Sequence, residues 1–136
     1  MESWANRLFE MDESLEFITY FNNTQSFSEL RRAIESVITD DFIEFNDCVL
    51  AINALEIIAT IKGESSENFP GFDDITEDDL DRLFSTEITS YLMNLCDDAL
   101  NILEREEDNA MFEFNDEYES VEEYIDYLND LRERVI

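Results

Sequence analysis

Apolar residues recur at helical spacings along most of this chain. In MDESLEFITYFNN (residues 11–23), Leu15, Ile18 and Phe21, or Phe17 and Tyr20, mark one helix face. Beyond NNTQSF, Ser28 is placed to cap a second helix, ELRRAIESVITD, with Leu30, Ala33, Ile34, Val37 and Ile38 turned inward. A third segment, IEFNDCVLAINALEIIATIK, stops at Gly63. Apolar residues occupy nearly its whole circumference, leaving only Asn46, Asn53 and Thr60 as a narrow polar stripe, so it is expected to be packed on several sides. GESSENFPGFDD holds the one proline and reads as a loop. Thr76 then suits the N-cap of a short acidic helix, EDDLDRLF, and Ser85 that of a longer one through EITSYLMNLCDDALNILERE. EDNAMFEFNDEYES (residues 107–120) reads as an irregular connector or a short hairpin. In the closing YESVEEYIDYLNDLRERVI, Val121, Tyr124, Ile125, Leu128, Leu131 and Val135 fall on one side of a helix. The prediction is all-α: one domain over residues 1–136, a bundle of five or six helices around a central apolar helix at residues 45–61.

Composition agrees with helices, since two glycines and one proline leave little room for hairpins. A hydrophobic fraction of 44% with 12% aromatics argues for a folded chain despite its charge, because disordered acidic chains are poor in aromatics. That charge is −28, from 36 acids against 8 bases, and the one lysine is Lys62. Asparagine and isoleucine share AT-rich codons with lysine and are abundant, so the scarcity of lysine reads as exclusion of positive charge. Such a surface repels itself, and something should require it. Adaptation to high salt fits poorly with the many Phe and Ile and the few Ala and Gly. Direct binding to nucleic acid or to an anionic membrane is disfavoured, because both call for Lys and Arg. Cys48 and Cys96 sit in apolar helical patterns and are expected as buried, reduced thiols. The acidic start lacks the pattern of a signal peptide, and no run of eighteen apolar residues occurs, so a cytoplasmic protein is expected.

Histidine is absent, which removes Ser-His-Asp and Cys-His catalysis, Glu-x-x-His di-iron sites and His-bearing zinc sites. With only Gly63 and Gly71, there is no glycine-rich phosphate loop, and DDITEDDLDRLF lacks the central Gly and terminal Glu of an EF-hand. One enzymatic pattern remains. Glu13 and Glu16, with Glu44 and Asp47 on a later helix, resemble the carboxylate quartet of Mg²⁺-dependent all-α nucleotide pyrophosphohydrolases. Against it stand the frequency of such spacings in an acid-rich chain and the scarcity of cations to hold phosphates. Glu56 lies in an apolar stretch; its plainer reading is a structural carboxylate bonded to an arginine or a helix end, its functional one a group of raised pKa. Trp4 reads as a plug at the end of the bundle, while Met111, Phe112 and Phe114 are open between packing and partner contact.

The acidic surface is the remaining feature. Opposite the apolar side of the closing helix lie Glu119, Glu122, Glu123, Asp126, Asp130 and Glu133, and FDDITEDDLDRL supplies a second patch with Asp73, Asp74, Asp78 and Asp79. Glu122–Asp126 and Asp126–Asp130 are like-charge pairs at i,i+4, each costing roughly 0.2–0.5 kcal/mol. A basic partner would turn that penalty into fast, complementary association.

The opening WANRLFEMDESL, the stretch DFIEFNDC followed by AINALEIIATIKG, and the closing YIDYLNDLRER together resemble a bacterial family known as domain of unknown function 4259. Ala5 stands where that family usually has Gly, and Phe17 and Tyr124 where Trp is common. The resemblance implies one helical domain and no reaction. The expectation is therefore a non-catalytic acidic protein, without cofactor or metal, that neutralises a basic protein through the ten carboxylates named above. An immunity protein against a nuclease-type toxin comes first, because a nuclease groove must be basic. A phage-type DNA mimic that blocks a DNA-binding protein is the second reading, and the pyrophosphohydrolase the third.

Overall fold

The computed structural model describes residues 4–136. Among them the chain forms eight α-helices and no strand: α1 (Trp4–Phe9), α2 (Asp12–Thr24), α3 (Phe27–Thr39), α4 (Phe45–Ile61), α5 (Glu77–Glu87), α6 (Ser90–Leu103), α7 (Ala110–Glu117) and α8 (Val121–Val135). The two beyond six are short helices, α1 at the Trp-led opening and α7 inside the stretch read as a connector or hairpin. Asn109 accounts for α7. Its Oδ1 accepts hydrogen bonds from the backbone N–H groups of Met111 and Phe112, and its Nδ2 donates to the carbonyls of Leu103 and Arg105. One buried side chain thus closes the end of α6 and opens α7. A single parallel bridge joins Ile43 to the same residue, with Ile43 N–H donating to Asp108 and Ala110 N–H to Ile43.

Helix ends follow local chemistry, though not always at the residues expected. Thr76 caps α5 in a reciprocal box with Asp79. At the end of α4, Gly63 adopts φ 83°, its N–H donates to Thr60 and that of Glu64 to Ala59, a Schellman closure that suits glycine. Ser28 does not cap α3. The helix begins at Phe27, which is itself buried, and the Ser28 hydroxyl bonds that of Ser26 instead. Ser85 lies inside α5 and donates back to the Asp81 carbonyl, while Thr89 accepts from Leu92 N–H and caps α6.

Residues 51–59 of α4 are all buried, and α2, α3, α5, α6, α7 and α8 pack on this helix. Each fully buried Leu or Ile side chain there contributes about 1.5–3 kcal/mol. Of the expected polar stripe, Asn46 is exposed, Thr60 half-buried and Asn53 wholly buried. The Asn53 amide donates to Ser14 Oγ and to the Val49 carbonyl, and Ser14 donates in turn to the Leu8 carbonyl, so the stripe links α4 through α2 to α1. In α3, Leu30, Ala33, Ile34 and Val37 are buried as predicted; in α2, Leu15 and Tyr20 instead face outward, with Ser14, Ile18 and Phe21 inside. Cys48 and Cys96 are free and buried, and burial pushes both thiols up to about 12. No helix among the described residues is long and apolar enough to cross a membrane.

Candidate functional site

The acidic face of α8 is set by what the helix buries. Tyr124, Leu128, Leu131 and Val135 enter the core as the pattern predicts, and Tyr127 joins them. This leaves Glu122, Glu123, Asp126, Asp130 and Glu133 exposed on α8; Glu119, expected on the same helix, lies before it in the turn after α7, at φ 56°, and is exposed as well. The face is not without cations. Arg7 Nη2 lies 3.1 Å from Glu123 Oε2, and Arg134 Nε lies 2.9 Å from Asp130 Oδ2 one turn along the helix. Among the described residues, Glu119, Glu122, Asp126 and Glu133 pair with no cation.

Glu123, Asp126 and Asp130 form one wall of an open groove of about 710 Å³. Ser65, Ser66, Glu67 and Asn68 form the facing wall, on the loop that Gly63 turns off α4. Tyr127 and Arg134 lie along the groove and Trp4 borders it. Beneath is Glu56, fully buried. Arg134 grips it with two bonds, Nη1 to Oε2 at 2.9 Å and Nη2 to Oε1 at 2.7 Å, and the Tyr127 hydroxyl donates to Oε1. Arg134 Nη1 also reaches the Glu64 carbonyl at 3.2 Å, so one guanidinium ties α8 to α4 and to the start of the loop. Glu56 is thus the structural carboxylate of its plainer reading. Burial works against the charge on Arg134, but hydrogen bonding and attraction from Glu56 and Asp130 outweigh it and hold the guanidinium more firmly protonated than usual. Burial, then the Glu56 charge, raise the Tyr127 phenol and keep it a neutral donor.

The second acidic patch lies outside the groove lining, and part of it is structural. Asp74 exchanges two hydrogen bonds with the Asn22 side chain, its N–H to Oδ1 at 2.9 Å and its Oδ2 from Nδ2 at 3.0 Å. The Thr76 backbone N–H, then its own desolvation and lesser contacts with Thr76 and Arg82, act on the Asp79 carboxyl, and the balance holds it below its ordinary value. Asp73 and Asp78 are exposed. Of the ten predicted residues, the structure gathers three, Glu123, Asp126 and Asp130, around one concavity. Glu67, Tyr127 and Arg134 belong there and were not predicted. The only linear signal for Arg134 was its i,i+4 spacing from Asp130.

Trp4 separates this groove from a second depression. Its Nε1 donates to Asn115 Oδ1 at 2.9 Å, and its ring lies 4.7 Å from Tyr127 and 5.2 Å from Tyr124, so it plugs the bundle end between α1 and α8. Beside it is an apolar cavity of about 190 Å³, walled by Leu8, Met11, Phe45, Met111 and Phe114. Of the three residues left open, Met111 is buried, Phe112 half-buried, and Phe114 partly exposed between Phe45 and Tyr118, at 5.1 and 4.7 Å.

Glu13 and Glu16 border a shallow depression with Phe17, Asn46 and Leu50; Glu44 and Asp47 are not part of its lining. Among the described residues, no three acidic or cysteine side chains converge as metal ligands. No curated protein and no solved structure matches the chain. Residues 3–130 match a family model, the same family that the Trp-led opening and α4 resemble, and the chain belongs to that family, described as Domain of unknown function (DUF4259).

Proposed function

We propose that this protein is a non-catalytic acidic binding protein that covers a basic surface on another protein, as an immunity protein covers the groove of a nuclease-type toxin. The observation that carries the reading is the outer face of α8. Three of its five carboxylates, Glu122, Asp126 and Glu133, have no cation among the described residues, although the chain holds seven arginines and a lysine. Arg134, on the same helix, turns inward and fastens α8 to α4 through Glu56. A solubility surface would interleave its acids with Lys or Arg at i+4, whereas here Glu122, Asp126 and Asp130 follow one another at that spacing. Such a row accelerates encounter with a basic partner and discriminates against acidic ones.

The same row supports a second reading, a DNA mimic. Its carboxylates stand about 5–6 Å apart at Cβ, comparable to a row of phosphates. A pull-down from native lysate separates the two by what it recovers: a nuclease for the first, a DNA-binding or defence protein for the second. In either case binding weakens as salt rises. Charge reversal at Glu122, Asp126 and Glu133, all exposed and without cations among the described residues, should abolish binding without lowering the melting temperature. Unchanged binding in that variant returns the face to solvation alone.

A further inference from the structure

The groove and the cavity share a wall. Trp4 lines both, and the Arg7–Glu123 ion pair straddles them, with Arg7 on the cavity and Glu123 on the groove. Their chemistries differ. The groove presents Glu67, Glu123, Asp126 and Asp130, and its one lining cation, Arg134, is committed to Glu56 and Asp130. The cavity is walled mainly by Trp4, Leu8, Met11, Phe45, Met111 and Phe114, with Arg7, Asn115 and Ser120 as its polar lining. An apolar cavity of ~150 Å³ accepts a benzene ring, so one of about 190 Å³ accommodates a single aromatic or branched aliphatic side chain. The rim carries partly exposed rings at Phe114 and Tyr118, 42% and 65% exposed.

Building on the basic-partner reading above, we infer that groove and cavity form one bipartite site for a basic segment of the partner protein. That segment places one aromatic or aliphatic side chain in the cavity and adjacent Lys or Arg side chains in the groove. Charge selects this occupant. A second copy of the chain brings its own net charge of −28, and a neutral apolar segment offers no cation to Glu67 and Asp126, which have none among the described residues. An anchor also supplies what a charged face lacks: rim charges set association rate and salt dependence, while a buried aromatic sets residence time.

The test uses the full chain and three synthetic twelve-residue peptides of Gly and Ser: one with evenly spaced lysines, one with the same lysines and a central Phe, and one with the Phe alone. Titration calorimetry gives affinities, and fluorescence of Trp4, the one tryptophan in the chain, reports occupancy beside it. The Lys–Phe peptide should bind about tenfold or more tighter than the lysine peptide, and it should shift Trp4 emission. Phe114→Ser with Tyr118→Ser should erase that gain, and Asp126→Lys should weaken both lysine peptides. Should the double variant melt early, Tyr118→Ser alone, at the more exposed ring, should still reduce the gain. Equal, salt-sensitive binding of the two lysine peptides overturns the bipartite site and leaves the basic-partner reading standing. No binding of either at low salt overturns both. Binding of the Phe-only peptide as tightly as the Lys–Phe peptide removes the groove from the site.

Discussion

Glu56 is where the fold and the candidate site meet. A carboxylate with no exposed surface costs several kcal/mol in lost hydration, and only the two-bonded grip of Arg134 and the Tyr127 hydroxyl offset it. Removing Arg134 leaves the buried Glu56 charge with only the Tyr127 hydroxyl, so Arg134→Ala should lower the unfolding free energy in urea by about 3–5 kcal/mol. Replacing all three groups with apolar ones of similar volume (Glu56→Leu, Tyr127→Phe, Arg134→Met) should recover most of that loss. A loss below about 1 kcal/mol in the single variant would mean the pair does not fasten α8, against the figure for buried pairs. The burial of Glu56 was legible in the sequence, because apolar residues surround it in a helical pattern. Its partners were not. Periodicity states which face turns inward and says nothing about which residue, 78 positions away, will meet it. Asn109 was illegible for a related reason, since its amide folds back onto the carbonyls of Ile102, Leu103 and Arg105, at and just past the end of α6, and its Oδ1 also meets Cys48, 61 positions away.

At the level of elements, the cap of α5 and the stop of α4 were read correctly, and two other cap signals were displaced by packing. Thr76 with Asp79, and Gly63 with its backbone closure, are local motifs and appear where predicted. Ser28 and Ser85 are equally good caps by chemistry, but burial of Phe27 begins α3 earlier and Ser85 lies inside α5. In α8 the apolar stripe was legible and the lone carboxylates of its outer face followed from it. The Arg7 and Arg134 pairs did not, since Arg7 arrives from α1 and Arg134 turns inward. The like-charge row gives an element-scale prediction. Asp126→Lys converts Glu122–Asp126 and Asp126–Asp130 into attractive i,i+4 pairs, each worth about 0.2–0.5 kcal/mol on top of the repulsion relieved. The variant should therefore unfold at a slightly higher temperature and yet bind a basic partner more weakly. A lower melting temperature would show instead that Asp126 holds a structural contact. Gain of stability with loss of binding is the signature of a row retained for recognition rather than for folding.

For the whole molecule, a net charge of −28 makes the folded state repel itself, and the exposed ion pairs, worth little individually, do not offset it. Raising salt from ~10 to ~300 mM shortens the Debye length from about 30 Å to well under 10 Å, so the melting temperature should rise; a fall would mean the ion pairs outweigh the repulsion. Alkaline pH acts in the opposite direction through different groups. The Cys48 and Cys96 thiols, ordinarily near 9.0, are pushed up to about 12 by burial. Burial likewise raises the Tyr124 and Tyr127 phenols well above their ordinary 10.0. Between pH 9 and 12 the unfolded chain gives up its thiol protons while the folded chain keeps them. Stability is then fully present below pH 9 and declines as pH rises, by about 1.4 kcal/mol per pH unit for each such group. The tyrosines add to the decline above 10. Arg134 stays charged throughout and adds nothing. Urea midpoints taken at intervals from pH 8 to pH 11 should fall steadily above 9, and Cys96→Ala should make that fall shallower by one group's share. A flat profile would mean that both buried thiols ionise in place and would overturn the prediction.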